Sequence, residues 1–154
     1  MFGAKAICDG RIALLSAVKP FSMIDVNVRL GSIAAGNEPG LSVDMPMLTD
    51  ARGVSLARLP TEQFMEYFRR RSREGIPHTG NLLACVCGDT GSFGMLRMFG
   101  ILAELEGIRP EKRYFVSQDL SEVSAWMAEQ VGLEDGAADR IAAEVDLFRE
   151  ELRV

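Results

Sequence analysis

The sequence predicts an α/β fold, a mixed sheet of about five strands with helices packed on it and an extra C-terminal helix. Apolar runs of strand length alternate with longer segments whose apolar residues recur at helical spacing. The pair Asp9-Gly10 separates the first two apolar runs, which is typical of a β-hairpin. The predicted order is therefore β-β-α-β-α-β-α-β-α-α, with an antiparallel opening and parallel crossovers after it.

The first third of the chain contains one segment that fits two structures. Two strands are predicted at residues 4–8 and 11–17, and residues 21–37 follow. Alternating apolar residues in that segment favour a strand, and apolar residues at helical spacing favour a helix equally well. Because Ser22 and Asp25 have the spacing of a capping box, we predict a helix.

The middle of the chain reads as a strand followed by a helix. A strand is predicted at residues 45–49, ending in the turn 50–53. A helix of about four turns is predicted from Thr61 to Glu74, because glycine and proline follow it at Gly75 and Pro77.

The stretch from Asn81 to Leu105 is the most apolar part of the sequence. Residues 82–87 form a short apolar run, which indicates a strand buried on both faces. The glycine-rich turn 88–94 follows, and either Thr90 or Ser92 can cap the next helix, predicted at 92–106. The core stripe expected on that helix is Met95, Met98, Phe99, Leu102 and Leu105.

The sequence pattern of the C-terminal third predicts one more strand and two helices. The strand covers residues 113–117, and Asp119 is the expected N-cap of the helix after it. We divide the chain into an α/β domain, residues 1–133, and a C-terminal amphipathic helix, residues 134–154, packed on the domain or on a partner subunit. The apolar stripe of this last helix is Ala138, Ile141, Val145, Phe148 and Leu152.

Composition narrows the class of protein. The 154 residues are 47% hydrophobic and 25% charged, which is ordinary for a globular domain. A net charge of −5 argues against nucleic acid as a partner. No apolar run is long enough for membrane insertion, and the N-terminal residues lack the apolar region of a signal peptide. We therefore expect a cytoplasmic protein.

The three cysteines do not indicate a metal site. Cys85 and Cys87 are two apart on one predicted strand, so their side chains share a face. Together with Cys8 and the single His78 they do not form a zinc pattern. We expect three buried free thiols, no metal and no cofactor.

Three stretches carry a resemblance to a known family. They are MLTDARGV (47–54), Ser92-Phe93-Gly94 leading into RMFGILAE (97–104), and RYFVSQDLSEVSAWM (113–127). Over residues 5–130 the chain resembles the STAS fold, and more closely the small bacterial SpoIIAA-like (STAS/SEC14-type) proteins. The resemblance implies a non-enzymatic regulatory or protein-interaction module, and no catalytic constellation in the sequence points to an enzyme.

The sequence departs from this family at the regulatory serine. Anti-sigma-factor antagonists carry a phosphorylatable serine in an Asp-Ser-Ser-Gly-like turn, whereas the matching loop here, residues 54–64, has no such motif. Ser55 and Thr61 are the remaining phosphorylation candidates, and a role as helix cap explains Thr61 fully.

A binding site is also predicted at the carboxyl ends of the strands, where open α/β sheets bind ligands. The alternative function is thus a small-ligand protein that binds a lipid, a nucleotide or another anion at the turn 88–94. The competing interpretation is a salt bridge beside a tightly packed glycine turn. The candidate residues are Asp50, Arg52, Gly88, Asp89, Thr90, Gly91 and Ser92.

Self-association is the last expectation. The helix predicted at 92–106 is apolar nearly all round, and the last helix adds a second apolar stripe. We expect a homodimer, because two-fold pairing is the commonest way to bury such surfaces. In the competing arrangement, the last helix folds back over helix 92–106 within one chain.

Overall fold

The structure, a computed structural model, describes residues 1–73 and 81–154. Within these ranges the predicted α/β fold with a five-stranded mixed sheet is confirmed. The strands are β1 (Phe2–Ile7), β2 (Ile12–Val18), β3 (Met47–Gly53), β4 (Leu83–Cys87) and β5 (Tyr114–Ser117). The helices are α1 (Met23–Ala34), α2 (Thr61–Arg73), α3 (Thr90–Leu105), α4 (Leu120–Val131) and α5 (Ala137–Arg153), and short 3-10 turns cover Leu56–Arg58 and Glu111–Arg113.

The strands lie side by side in the order of the sequence, β1-β2-β3-β4-β5. β1 pairs antiparallel with β2 through the predicted hairpin, and the remaining pairs are parallel. Cys8, Asp9 and Gly10 make this tight turn with φ angles of 54°, 55° and 81°. Asparagine, aspartate and glycine adopt such left-handed angles more readily than other residues, so Cys8 is the unusual member of the turn.

Two apolar cores lie on opposite faces of the sheet. The first core lies under α1, α2 and α3, and the second lies under α4 and α5. β4 shows the division: Cys85 and Cys87 point into the first core, and Ala84 and Val86 point into the second. The prediction that this strand is buried on both faces, with the two thiols on the same side, is therefore confirmed.

The ambiguous segment is the helix α1, as predicted. The backbone N–H of Ser22 donates to the Asp25 carboxylate at 2.9 Å, which is one arm of the expected capping box. Leu30 faces the first core. Ile24 and Val28, whose alternation favoured a strand, are instead 68% and 67% exposed.

The buried face of α3 differs from the prediction. Leu105 and Met98 were expected in the core, yet both are exposed. Gly100 lies so close to the Tyr114 ring that a Cβ on it would be 2.6 Å from ring carbons. The helix approaches the sheet closely, and close approach requires small residues rather than large ones. The buried positions of α3 are Ser92, Leu96, Gly100 and Ala103.

Some predicted boundaries shift. β3 begins at Met47, after Pro46, and extends through Gly53, so the supposed turn after the strand belongs to the strand itself. Helix α2 begins at Thr61 as predicted. Its predicted last residue and the residues expected to end it, Glu74, Gly75 and Pro77, lie outside the described residues, as does His78.

Helix α5 packs on its own chain, beside α4 and against β2. Ile141, Val145 and Phe148 are buried there. This face of the sheet is opposite to the face that carries α3, so the last helix does not fold back over α3. In the part of the chain that the structure describes, none of the helices has the length and apolar character needed to cross a bilayer.

Candidate functional site

Asp50 lies at the centre of the sheet and is fully buried on the face covered by α4 and α5. Its Oδ1 accepts hydrogen bonds from the Arg52 backbone N–H at 3.0 Å and from Arg52 Nε at 2.9 Å. Its Oδ2 accepts from Arg52 Nη2, also at 2.9 Å. Two parallel hydrogen bonds from one guanidinium compensate the desolvation of a buried carboxylate.

Arg52 also reaches the last helix. Its Nη2 donates to Asp146 of α5 at 2.8 Å. The hydrogen bond to Asp50 raises the pKa of Arg52 above its ordinary value, against the effect of burial, and the bond to Asp146 adds to this. The guanidinium therefore joins the end of β3 to α5, which is the salt-bridge arrangement weighed above.

The glycine-rich turn beside this pair is occupied by internal hydrogen bonds. Asp89 is the N-cap of α3, a place predicted for Ser92 or Thr90, and it accepts from the Ser92 N–H at 2.7 Å and from the Ser92 hydroxyl at 2.9 Å. These two bonds hold the pKa of Asp89 below its ordinary value. Ser92 Oγ also accepts from the Leu56 N–H at 2.8 Å, so the hydroxyl ties α3 to the turn after β3.

Two glycines of the turn permit close contacts. A Cβ on Gly88 would lie 3.1 Å from the Arg52 carbonyl oxygen, which brings β3 and the turn together. Thr90 is the first residue of α3. Gly91 lies in the first turn of that helix and is not among the residues with positive φ, so it serves close packing rather than a left-handed turn.

Gly91→Ala is expected to lower the free energy of unfolding by about 1–3 kcal/mol. The new methyl would lie 2.7 Å from the Ala57 Cβ, so the turn after β3 must shift. Gly94→Ala is the matched control, because its methyl meets nothing within 4 Å. The control should stabilise α3 by about 1 kcal/mol. Urea denaturation measures both, and equal effects for the two variants would contradict the close contact.

The two phosphorylation candidates are separate from this turn's hydrogen bonds. Ser55 precedes the 3-10 turn without a side-chain capping bond, and its side chain is half-buried. Thr61 is the exposed first residue of α2.

A cavity of about 110 Å³ lies on the other face of the sheet, between the strands and helices α1, α2 and α3. Its walls are mainly apolar. Neither Asp50, Arg52 nor the turn 88–92 lines it. The strands contribute Leu15, Ala51 and Leu83, and the helices contribute Met23, Phe64 and Phe99.

One end of the cavity is polar. Asn81 and Arg109 line it and are only 7% and 8% exposed. Arg109 Nε donates to the Asn81 carbonyl at 2.9 Å, and Arg109 Nη2 donates to Asn81 Oδ1 at 2.7 Å. Asn81 Nδ2 in turn donates to the Met45 carbonyl at 3.1 Å. This end lies at the amino ends of β3 and β4, since the Met47 N–H bonds the Leu82 carbonyl there.

The sequence did not indicate this pair. Asn81 and Arg109 are separated by 28 positions and belong to loops, and neither has a spacing that marks a known motif. A buried arginine beside Ile108 and Pro110 has no signal in a single sequence, because burial of a loop depends on the tertiary packing.

Cys85 lies in the wall of the cavity, next to Thr49 on β3. Burial raises the pKa of its thiol to about 12, from 9.0. The positive charge of Arg109 acts in the opposite direction on the same thiol. The nearby Tyr114 hydroxyl donates a hydrogen bond to the Leu96 carbonyl at 2.7 Å.

The cysteines are expected to differ in reactivity. Cys85 and Cys87 are buried, whereas Cys8 is only partly buried, which corrects the expectation of three buried thiols. A thiol reagent at pH 8 should therefore modify one thiol per chain in the native state and three in denaturant. Cys8→Ser should abolish the native reaction. Fast native labelling that survives this substitution would show that β4 is accessible.

The described ranges contain no group of three or more histidine, cysteine, aspartate or glutamate residues placed to hold a metal ion. Comparison of the chain with known protein families, with curated proteins and with solved structures finds no match in any of the three.

Proposed function

We propose that this chain is a binding module that holds a small apolar ligand between its sheet and helices α1, α2 and α3. The observation that carries the proposal is the cavity of about 110 Å³. Well-packed interiors contain few voids larger than a water molecule, because every void forfeits contacts between the surrounding atoms. A cavity that spans three helices and four strands is the kind of space that ligand sites use.

The size and walls of the cavity limit the ligand. Sites for drug-sized molecules occupy roughly 300–1,000 Å³, so this smaller cavity suits a ligand with a single hydrocarbon chain or ring. Apolar walls exclude strongly hydrated ligands, since their polar groups would lose water without replacement. Nucleotides therefore fit this cavity poorly. Of the ligands expected from the sequence, the geometry supports a lipid-like molecule.

Titration with octanol, followed by NMR, tests the proposal. We expect saturable shifts at residues that line the cavity, such as Ala51 and Phe64. Ala51→Leu fills part of the space and should weaken binding, whereas Ala57→Leu, outside the lining, is the control. Circular dichroism checks that both variants fold. The absence of saturable binding by octanol, cyclohexanol and octanoate would overturn the proposal.

A second candidate function is the protein-interaction module implied by the family resemblance, including pairing with a second copy. One observation favours it: α3 presents three apolar side chains to solvent at helical spacing, Met98, Ile101 and Leu105, of which the last two are 51% and 76% exposed. Exposed apolar patches commonly mark interaction surfaces. The stripe of α5 no longer supports pairing, because its own chain covers it.

Sedimentation equilibrium tests pairing through α3. Ile101→Glu should convert a dimer into a monomer. Val28→Glu, on the exposed face of α1, should leave the dimer intact. A full-length chain that remains monomeric at high concentration would remove self-association from the candidates.

A further inference from the structure

We propose that α3 pairs with α3 of a second copy of this chain, antiparallel and around a two-fold axis at Ile101. This inference rests on the second candidate function, pairing with a second copy, and adds the orientation, the register and the charged contacts of the pair. The cavity plays no part in it, because Leu96, Phe99 and Ala103 line the cavity from the opposite side of the helix.

The position of α3 leaves its outer side accessible. The helix packs on β4 and β5, and β5 is an edge strand of the sheet. An exposed stripe follows the outer side at intervals of three or four residues, through Gly94, Met98, Ile101 and Leu105. Leu105 is the most exposed of the three apolar side chains in this stripe.

The stripe is complementary to itself in shape. In paired helices, a side chain of one helix inserts between four residues of the other. The residues that surround such a hole on α3 are Gly94, Arg97, Met98 and Ile101. In an antiparallel pair centred on Ile101, the second copy's Leu105 lies opposite this hole, since Arg97 and Leu105 are each four positions from Ile101. A Cβ on Gly94 would meet nothing within 4 Å, so the hole is open at that end.

The charges beside the stripe favour the antiparallel orientation. Arg97 and Glu104 are exposed and seven positions apart, so they lie on the same flank of the helix. In the antiparallel pair each lies beside the opposite charge of the second copy, because Glu104 is next to the residue opposite Arg97. A parallel pair would instead place Arg97 beside Arg97 and Glu104 beside Glu104, and like charges repel.

Both charges are available for contact with a second copy. In the part of the chain that the structure describes, neither Arg97 nor Glu104 forms an ion pair. Neither has an opposite charge three or four positions away along α3, where a partner on the same helix would lie. The antiparallel pair therefore gives each of them its first opposite charge.

A second exposed apolar patch, Ile24 and Val28 on α1, lacks this property. Its neighbouring charges already have partners within the chain. Arg29 donates to Glu38 at 2.8 Å, and Asp25 accepts from the first residue of the capping box. The surface of α3 thus fits a second copy better than the surface of α1 does.

Sedimentation equilibrium of the full chain and its charge variants at low salt tests the inference. Arg97→Glu brings like charges together twice, because the two-fold axis repeats the contact, and should raise the dimer dissociation constant about tenfold or more. Glu104→Arg should cause the same loss. High salt should reverse part of it, since salt screens exposed charges.

The double variant Arg97→Glu, Glu104→Arg restores both pairs with their signs exchanged. Its dissociation constant should return to within about threefold of the original. Arg153→Glu, exposed at the end of α5 on the other face of the sheet, controls for the change in net charge and should leave pairing unchanged. Circular dichroism checks that each variant folds.

The outcomes separate the register from pairing itself. A dimer that tolerates Arg97→Glu, or one that the double variant does not restore, would overturn the antiparallel register and leave pairing as a candidate. A full chain that stays monomeric at high concentration would overturn pairing and the inference with it, while the apolar site would still stand.

Discussion

A chain that ends at Glu134 is expected to lose cooperative folding. The truncation removes α5, whose Ile141, Val145 and Phe148 are buried against the sheet. Each large side chain of this kind stabilises the fold by roughly 1.5–3 kcal/mol. Their sum approaches the total stability of a small domain, about 5–15 kcal/mol. Circular dichroism and thermal unfolding should show a broad, non-cooperative transition.

Two point variants test the contribution of α5 packing to stability without shortening the chain. Ile141→Ala should lower the free energy of unfolding by about 2–5 kcal/mol. Leu147→Ala on the exposed face should change it by less than about 0.5 kcal/mol. A truncated chain that keeps the near-ultraviolet spectrum and the melting transition of the full chain would show that α5 is dispensable.

Arg52→Met is expected to lower the free energy of unfolding at pH 7 by about 3–5 kcal/mol. The substitution keeps an apolar stem of similar length but leaves the Asp50 carboxylate buried without its guanidinium. An ionised group in that position has lost its solvation and its counter-charge together. Urea denaturation measures the loss.

The comparison variants identify the origin of this effect. Asp146→Asn should cost about 1 kcal/mol or less, because Asp146 is largely exposed and water compensates the lost charge. The double variant Asp50→Leu, Arg52→Met should recover most of the stability lost in Arg52→Met, since it removes the stranded carboxylate. A double variant as unstable as the single one would show that the stability is lost through packing rather than through the unpaired Asp50 carboxylate.

The order and type of the elements could be predicted because local signals agree with the tertiary structure. Asp9-Gly10 marks the hairpin, and Ser22 with Asp25 marks the start of α1. The cap of α4 is Asp119, as predicted, and it accepts from the Ser121 N–H at 2.8 Å. Residues of this kind act within one turn, so the sequence contains the whole interaction.

The face that a helix buries was harder to predict. On α3 the large apolar residues indicated one stripe, whereas Gly100 and Ala103 are the residues that meet the sheet and its neighbours. Hydrophobic periodicity assumes that the largest side chains face inward. Where Tyr114 already fills the space, the helix can pack only through its small residues.

The site was predicted in part. Asp50 and Arg52 were identified as a pair because they occupy one strand end, and the structure joins them to Asp146 as well. The distant partner lies 94 positions away, and no local pattern connects it to the strand. The cavity had no signal at all, because an unfilled volume depends on how three helices fit one sheet.

The strand order has a consequence for synthesis on the ribosome. Since each strand pairs with the strand made just before it, the sheet and its first core can assemble as the chain emerges. The second face, with Ile12, Leu14 and Leu48, stays uncovered until α4 and α5 have been made. The nascent chain therefore exposes an apolar face of the sheet until α5 has emerged, so docking of this helix, not formation of the sheet, completes the fold.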